Sequence, residues 1–157
     1  IERLWISRQL LKSWYVFACL CPMIPEAYIR FGDFKALRAL FRQDPVRPDA
    51  YRKSDVDHYV EGFRRPGALQ AALNYYRAGV LYGFGILRRL RNPIACPTLI
   101  LWGMQDPYLD QSLLHGLDQR IPDLRIERYE DASHWIIREY PERVSAKILA
   151  FLESLGC

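Results

Sequence analysis

From Phe34 to Tyr76 the apolar positions recur at helical spacing and are broken only by turn residues, so this stretch reads as helices joined by short loops. Asp33 stands where an N-cap would precede a helix through Arg42, with Phe34, Leu37, Ala39, Leu40 and Phe41 including an apolar face. Asp44-Pro45 then stops it. Ser54 is placed to cap the next helix, with Asp57 three residues on to suit its N-terminus. Pro66-Gly67 opens another, through Ala68, Ala71, Ala72, Tyr75 and Tyr76. Almost no strand-like alternation occurs before Asn92, and residues 1–92 are predicted to form an all-helical layer.

From Pro93 the pattern becomes that of an α/β fold. Pro97-Thr-Leu-Ile-Leu-Trp-Gly103 is a continuous apolar run ending at glycine, which predicts a strand buried on both faces of a parallel sheet. Residues 111–119 predict a helix, Leu124 to Tyr129 a second strand, and Pro141 the first position of a last helix. That helix carries Val144, Ile148, Phe151, Leu152 and Leu155 as one apolar stripe. Strand, helix, strand, helix is the right-handed crossover unit of a doubly wound sheet. Two parallel strands alone leave both edges open, so residues 93–157 are expected to be the end of a larger sheet whose earlier strands precede Ile1.

Composition narrows the possible partners. With 157 residues the chain is long enough for one domain burying roughly 70% of its unfolded surface. The formal net charge of +4 is spread along the chain, with local density only at Arg64-Arg65 and Arg88-Arg89-Leu90-Arg91, which read as solvated helix ends. No stacking platform accompanies them, and no nucleic-acid partner is expected. Cys19, Cys21, Cys96 and Cys157 form neither a C-x-x-C pair nor a zinc spacing. They are expected to be reduced and partly buried, as in a cytosolic protein, with no metal and no cofactor. The longest apolar run, Trp14 to Leu20, is far short of the ~20 residues that span a bilayer. No signal peptide is visible, although the chain begins at Ile1 rather than Met and leaves an anchor ahead of it open.

Functional residues in open α/β sheets sit just beyond the carboxyl ends of strands. Asp106 follows the first predicted strand by three residues, and His134 follows the second by a comparable loop. Both side chains are therefore expected at one rim of the sheet, as acid and base within hydrogen-bonding reach. Acid before histidine, after an upstream nucleophile, is the order used by α/β-hydrolases. Asp110 is the rival acid and could instead cap the helix starting near Gln111. His58 and His115 fall on predicted helices and are read as structural.

PTLILWGMQDPYLD and YEDASHWIIREYPERVSAKILAFL resemble the acid and histidine segments of α/β-hydrolases of the epoxide hydrolase and haloalkane dehalogenase branch. The histidine of that branch sits in G-H-W/F or S-H-W, a pattern that includes Ser133 and Trp135. Ile137-Arg138 departs from it, where many relatives carry glutamines. LLKSWYVFACLCPMIPE over 10–26 resembles the first cap helix of epoxide hydrolases, and ALNYYRA over 72–78 their second cap motif. The resemblance covers essentially the whole chain, as a helical cap (1–92) and the C-terminal part of the hydrolase core (93–157).

The resemblance implies that Tyr15 and Tyr76 are the two cap phenols that point at the substrate, with Tyr75 the outward-facing or packing alternative. Two O–H donors suit an epoxide, because ring opening leaves an alkoxide whose charge they stabilise and protonate. Trp14 and Trp135 are implied as substrate contacts. Trp14 also keeps open a dehalogenase, in which Trp or Asn holds the leaving halide. The nucleophile of this branch is an aspartate on a G-x-D-x-G turn, and the serine branch uses G-x-S-x-G. Neither occurs in these residues; Gly32-Asp33 has no strand before it and no glycine two residues beyond. The H-G-x-P oxyanion loop is absent too. The expectation is the C-terminal portion of an epoxide hydrolase that converts a small apolar epoxide to a diol through an aspartyl ester. A haloalkane or fluoroacetate dehalogenase, a serine esterase, and a truncated non-catalytic binding protein are the alternatives.

Overall fold

A computed structural model describes residues 8–89 and 93–156, with side chains over 8–83 and 93–156. The side chains of the Arg88–Arg91 cluster, and Cys157, lie outside the described set. The chain divides into two compact units, Ile1–Gln43 with Tyr51–Arg91 and Asp44–Ala50 with Asn92–Cys157.

The first unit is helical: backbone helix over 8–12, then α1 (Trp14–Leu20), α2 (Ile24–Gln43), α3 (Lys53–Arg64) and α4 (Ala68–Arg89). Val60 on α3 and Leu69 and Leu73 on α4 are buried with Phe34, and Cys19, Ile29, Leu37 and Phe63 pack around them. Leu69 and Leu73 lie one turn apart, and Tyr76 continues their face, so the same period that builds this core turns Tyr76 inward and leaves Tyr75 outside. Each full burial of such an apolar side chain contributes about 1.5–3 kcal/mol.

Two expected helix starts fall elsewhere. Asp33 is not an N-cap. It sits in a kink of α2 where Gly32, Asp33 and Phe34 all take left-handed backbone, with φ of 59°, 58° and 60°. That conformation costs about 1–2 kcal/mol at each non-glycine residue, and here it turns Phe34 into the core while the Asp33 carboxylate pairs with Arg38 and Arg64. Nor does Ser54 cap α3. The helix begins at Lys53 behind Arg52, whose amide donates to Asp55 Oδ2 at 3.0 Å, and Asp57 pairs with Arg38 instead.

In the second unit, β1 (Thr98–Gly103) and β2 (Leu124–Tyr129) pair in parallel, with Thr98 opposite Leu124 and Gly103 opposite Tyr129. Together they form a two-stranded sheet among the described residues. Thr98–Trp102 are half-buried rather than buried on both faces, because β1 pairs there on one side only. The helix expected over 111–119 is instead two 3-10 turns, Gln111–Leu114 and Leu117–Gln119, separated where Gly116 adopts a left-handed φ of 72°. After α5 (Ile136–Glu139), α6 (Pro141–Ser154) begins with Pro141 at its first turn. Val144 from α6 packs with Tyr129, Ala132 and Ile136, while Ile148, Leu152 and Leu155 further along its stripe are exposed. Cys19 is half-buried, but Cys21 and Cys96 are exposed rather than partly buried; all three are free thiols.

The parallel pairing continues past the strand ends. Met104 N donates to Tyr129 O at 3.0 Å and Gln105 N to Ala132 O at 2.9 Å, while Gln105 Nε2 reaches Glu130 O at 2.8 Å. Gly103 permits this, because a Cβ there would overlap the Ser133 carbonyl oxygen and lie 2.8 Å from that of Ala132. Backbone on that side has no flexible side chain to give way. Gly103→Ala is therefore expected to destabilise the chain by about 1–3 kcal/mol, the range for overpacking a close-packed site. A lowered urea midpoint would show it, and an unchanged midpoint would contradict the close approach.

Candidate active site

Because β1 and β2 end level and their following loops are bonded together, residues three beyond one strand and five beyond the other meet. His134 Nδ1 lies 2.8 Å from Asp106 Oδ2. Asp106 is 8% exposed, and its other oxygen accepts from the amides of Tyr108 at 2.7 Å and Leu109 at 2.9 Å. The carboxylate is thus held from both sides. With the Asp106 bond fixing Nδ1 as the protonated nitrogen, Nε2 is the nitrogen available as a base. The imidazole side chain is 38% exposed, with the Tyr108 and Trp135 rings edge-on to it at 5.2 and 5.4 Å. Asp110 instead accepts from Ser112 N at 3.0 Å and caps the first 3-10 turn. His58 and His115 are exposed, on α3 and at the end of that same turn.

Two acidic residues that sequence reasoning passed over complete this region. Asp44, in the segment that joins the second unit, has its carboxyl pushed up by burial and pulled down by His134. Glu139 is 2% exposed and accepts from Ser133 N, Ser133 Oγ and Val46 N. Neither had a sequence signal: Asp44 reads as a helix stop, and the partners of Glu139 are mostly main-chain amides.

In the first unit, Tyr15 on α1 and Tyr76 on α4 meet edge to face, with ring centroids 5.9 Å apart. Both are half-buried, whereas Tyr75 is 78% exposed. Burial is the main influence that raises the Tyr76 phenol above its ordinary value, with smaller contributions from Cys19 and Tyr75, so it remains a proton donor at neutral pH. Arg77 ties the two helices together. Its guanidinium donates to Cys19 O at 3.0 Å in the last turn of α1 and to Cys21 O at 2.9 Å just past its end, to Asn74 Oδ1 at 3.0 Å on α4, and pairs with Glu26 at 2.9 Å. Asn74 and Arg77 belong to the ALNYYRA motif, and their role as a clamp was not legible in it. Trp14 is 69% exposed. Among the described residues no cluster of three or more His, Cys, Asp or Glu could hold a metal, and no helix is long and apolar enough to cross a membrane.

The hydrogen bond to Asp106 is the largest influence on His134 and raises its pKa; burial opposes it, and the charges of Asp106 and Asp44 add to the rise. A histidine whose folded pKa is raised binds its proton more tightly in the native state. Its contribution to stability is fully present below the unfolded value of about 6.5 and is lost as pH rises through the higher folded value. Urea unfolding of the chain and of His134→Gln should therefore differ most at mildly acidic pH, and the gap should close toward alkaline pH. A gap that widens with rising pH would contradict this assignment.

Known proteins supply the family. A family model described as alpha/beta hydrolase fold matches residues 24–141. The chain is 35% identical over 147 residues to an AB hydrolase superfamily protein of Bacillus subtilis, covering 93% of this chain and 50% of that relative. It is 29% identical over 150 residues to human epoxide hydrolase 4, covering 92% and 40%. Among solved structures, an epoxide hydrolase of Bacillus megaterium with a bound inhibitor superposes with a TM-score of 0.75 at 24% identity, covering 92% of this chain and 52% of that one. Cfl2 of Burkholderia cenocepacia superposes with a TM-score of 0.78 at 23% identity, covering 90% and 48%. The chain spans about half or less of the length of the relatives it matches. On the family match over most of its length, the chain belongs to the α/β-hydrolase fold family.

Proposed function

We propose that this chain carries the cap and the acid–histidine segment of an epoxide hydrolase whose nucleophile, an aspartate, lies on a core segment outside these 157 residues. In the complete protein the aspartate carboxylate bonds to an epoxide carbon as the ring C–O bond breaks. The phenols of Tyr15 and Tyr76 donate to the developing alkoxide and supply its proton. His134 Nε2 then takes a proton from water, and the water oxygen attacks the ester carbonyl. As that intermediate collapses the ester C–O bond breaks, the proton left on the water oxygen passes to the departing alkoxide, and the aspartate and the diol are released; the imidazolium proton then restores the phenol that was deprotonated in ring opening. Asp106 holds Nδ1–H and balances the transient imidazolium, while Trp14 and Trp135 contact the apolar part of the substrate.

The observation that carries this reading is the 2.8 Å bond between His134 and a buried Asp106 that is itself held by two amides. A histidine so oriented is fitted to general-base work. The half-buried phenol pair favours epoxide over halide as leaving group, because an alkoxide needs a proton and a departing halide does not.

The 157-residue chain alone is expected to form no diol from a simple aryl epoxide, since it contains neither a G-x-D-x-G nor a G-x-S-x-G turn; measurable turnover would refute this. In a protein extended upstream to include the G-x-D-x-G turn, His134→Gln should accumulate a covalent ester detectable by mass. Asp106→Asn should lower turnover by up to about 10⁴-fold, by analogy with the loss of a triad acid. Tyr15→Phe and Tyr76→Phe should each slow alkylation by about 10²-fold while sparing the histidine-dependent step. Normal alkylation by epoxide in the double Phe variant would point to a dehalogenase instead.

A further inference from the structure

Glu139 is the most deeply buried charged side chain of the second unit, and nothing in the chemistry above uses it. Its Oε1 accepts from Val46 N at 2.6 Å and from Ser133 Oγ at 2.8 Å, and its Oε2 from Ser133 N at 2.7 Å. The Ser133 hydroxyl also accepts from Trp135 N at 3.2 Å, so the residues on both sides of His134 are tied to this one carboxylate. Arg47 Nη1 donates to the Glu139 main-chain carbonyl at 3.2 Å, a further tie between this residue and the 44–50 segment.

We propose that Glu139 is a positioning residue for His134: its buried carboxylate gathers the Ser133 amide and hydroxyl and the Val46 amide, and so fixes the backbone from which the imidazole meets Asp106. The choice of carboxylate over carboxamide follows from the donors. Two main-chain amides approach different oxygens of one side chain, and only a carboxylate presents an acceptor to both. A glutamine would turn its NH₂ against one of the amides and leave that buried donor without a partner. Val46 belongs to the Asp44–Ala50 segment, so the same carboxylate also holds the stretch that carries Asp44.

What this does for turnover rests on the function proposed above, but its test is made on the free chain and can fail separately. The charged groups facing the imidazole are Asp106 and Asp44, with the Tyr108 and Trp135 rings packed on it, and none of these is changed by the variants. His134 is titrated by NMR, and its Nδ1–H resonance recorded, in the 157-residue chain and in Glu139→Gln, Ser133→Ala and Val144→Ala. Glu139→Gln should lower the His134 pKa toward the ordinary value of about 6.5 and weaken or abolish the Nδ1–H signal. Ser133→Ala, which keeps the Glu139 charge, should move both in the same direction by less. Val144→Ala removes core packing next to the loop and should leave both unchanged. An unaltered titration in folded Glu139→Gln, or a shift there with none in Ser133→Ala, would overturn the proposal, as would an equal shift in Val144→Ala. If Glu139→Gln does not fold, Ser133→Ala decides it on the same criterion.

Discussion

Two parallel strands that end in register, with a glycine at the end of the first, are the constraint on which the second unit depends. Gly103 opposite Tyr129 lets the ladder run on through Met104 and Gln105, so the two loops are joined by main-chain hydrogen bonds before either presents a side chain. Asp106 and His134 then meet because of where they sit on that backbone. The missing Cβ is part of the same device, since the Ser133 carbonyl occupies the space that a side chain at 103 would need. Orientation of this kind is fixed during folding and costs nothing when a substrate arrives.

The first unit meets a different problem with similar means. Two phenols on separate helices must be brought side by side, and helical packing alone sets only which face each one shares. Arg77 supplies the remaining constraint by bonding two carbonyls at the C-terminal end of α1 from α4, with Glu26 balancing its charge. The planar guanidinium can do this because its donors form a rigid fork. In both units, then, chemically plausible side chains are held by main-chain groups that take no part in the proposed reaction.

This division explains what was legible in the sequence. The strand ends were readable from an apolar run closed by glycine, and with them the meeting of Asp106 and His134. The choice of Tyr76 over Tyr75 came from the resemblance of ALNYYRA to a cap motif, and the fold agrees with it, because 76 continues the face of Leu69 and Leu73. Failures came where backbone conformation departs from pattern. Asp33 looked like a cap, but it lies in a left-handed kink whose reason is the burial of Phe34, a tertiary effect. Residues 111–119 carry helical spacing, yet Gly116 divides them into two tight turns. Glu139 was invisible because a glutamate on a helix ahead of a proline suggests solvent, and its partners are amides that every residue possesses.

The most direct measurement is an NMR titration of the His134 ring in the chain and in Asp106→Asn. If the buried carboxylate governs the histidine, the unaltered chain should titrate above the ordinary value of about 6.5 and the variant should titrate clearly lower than the unaltered chain, since burial is then opposed only by the charge of Asp44. Identical titrations in the two proteins would contradict the pairing of Asp106 with His134 as the centre of this site.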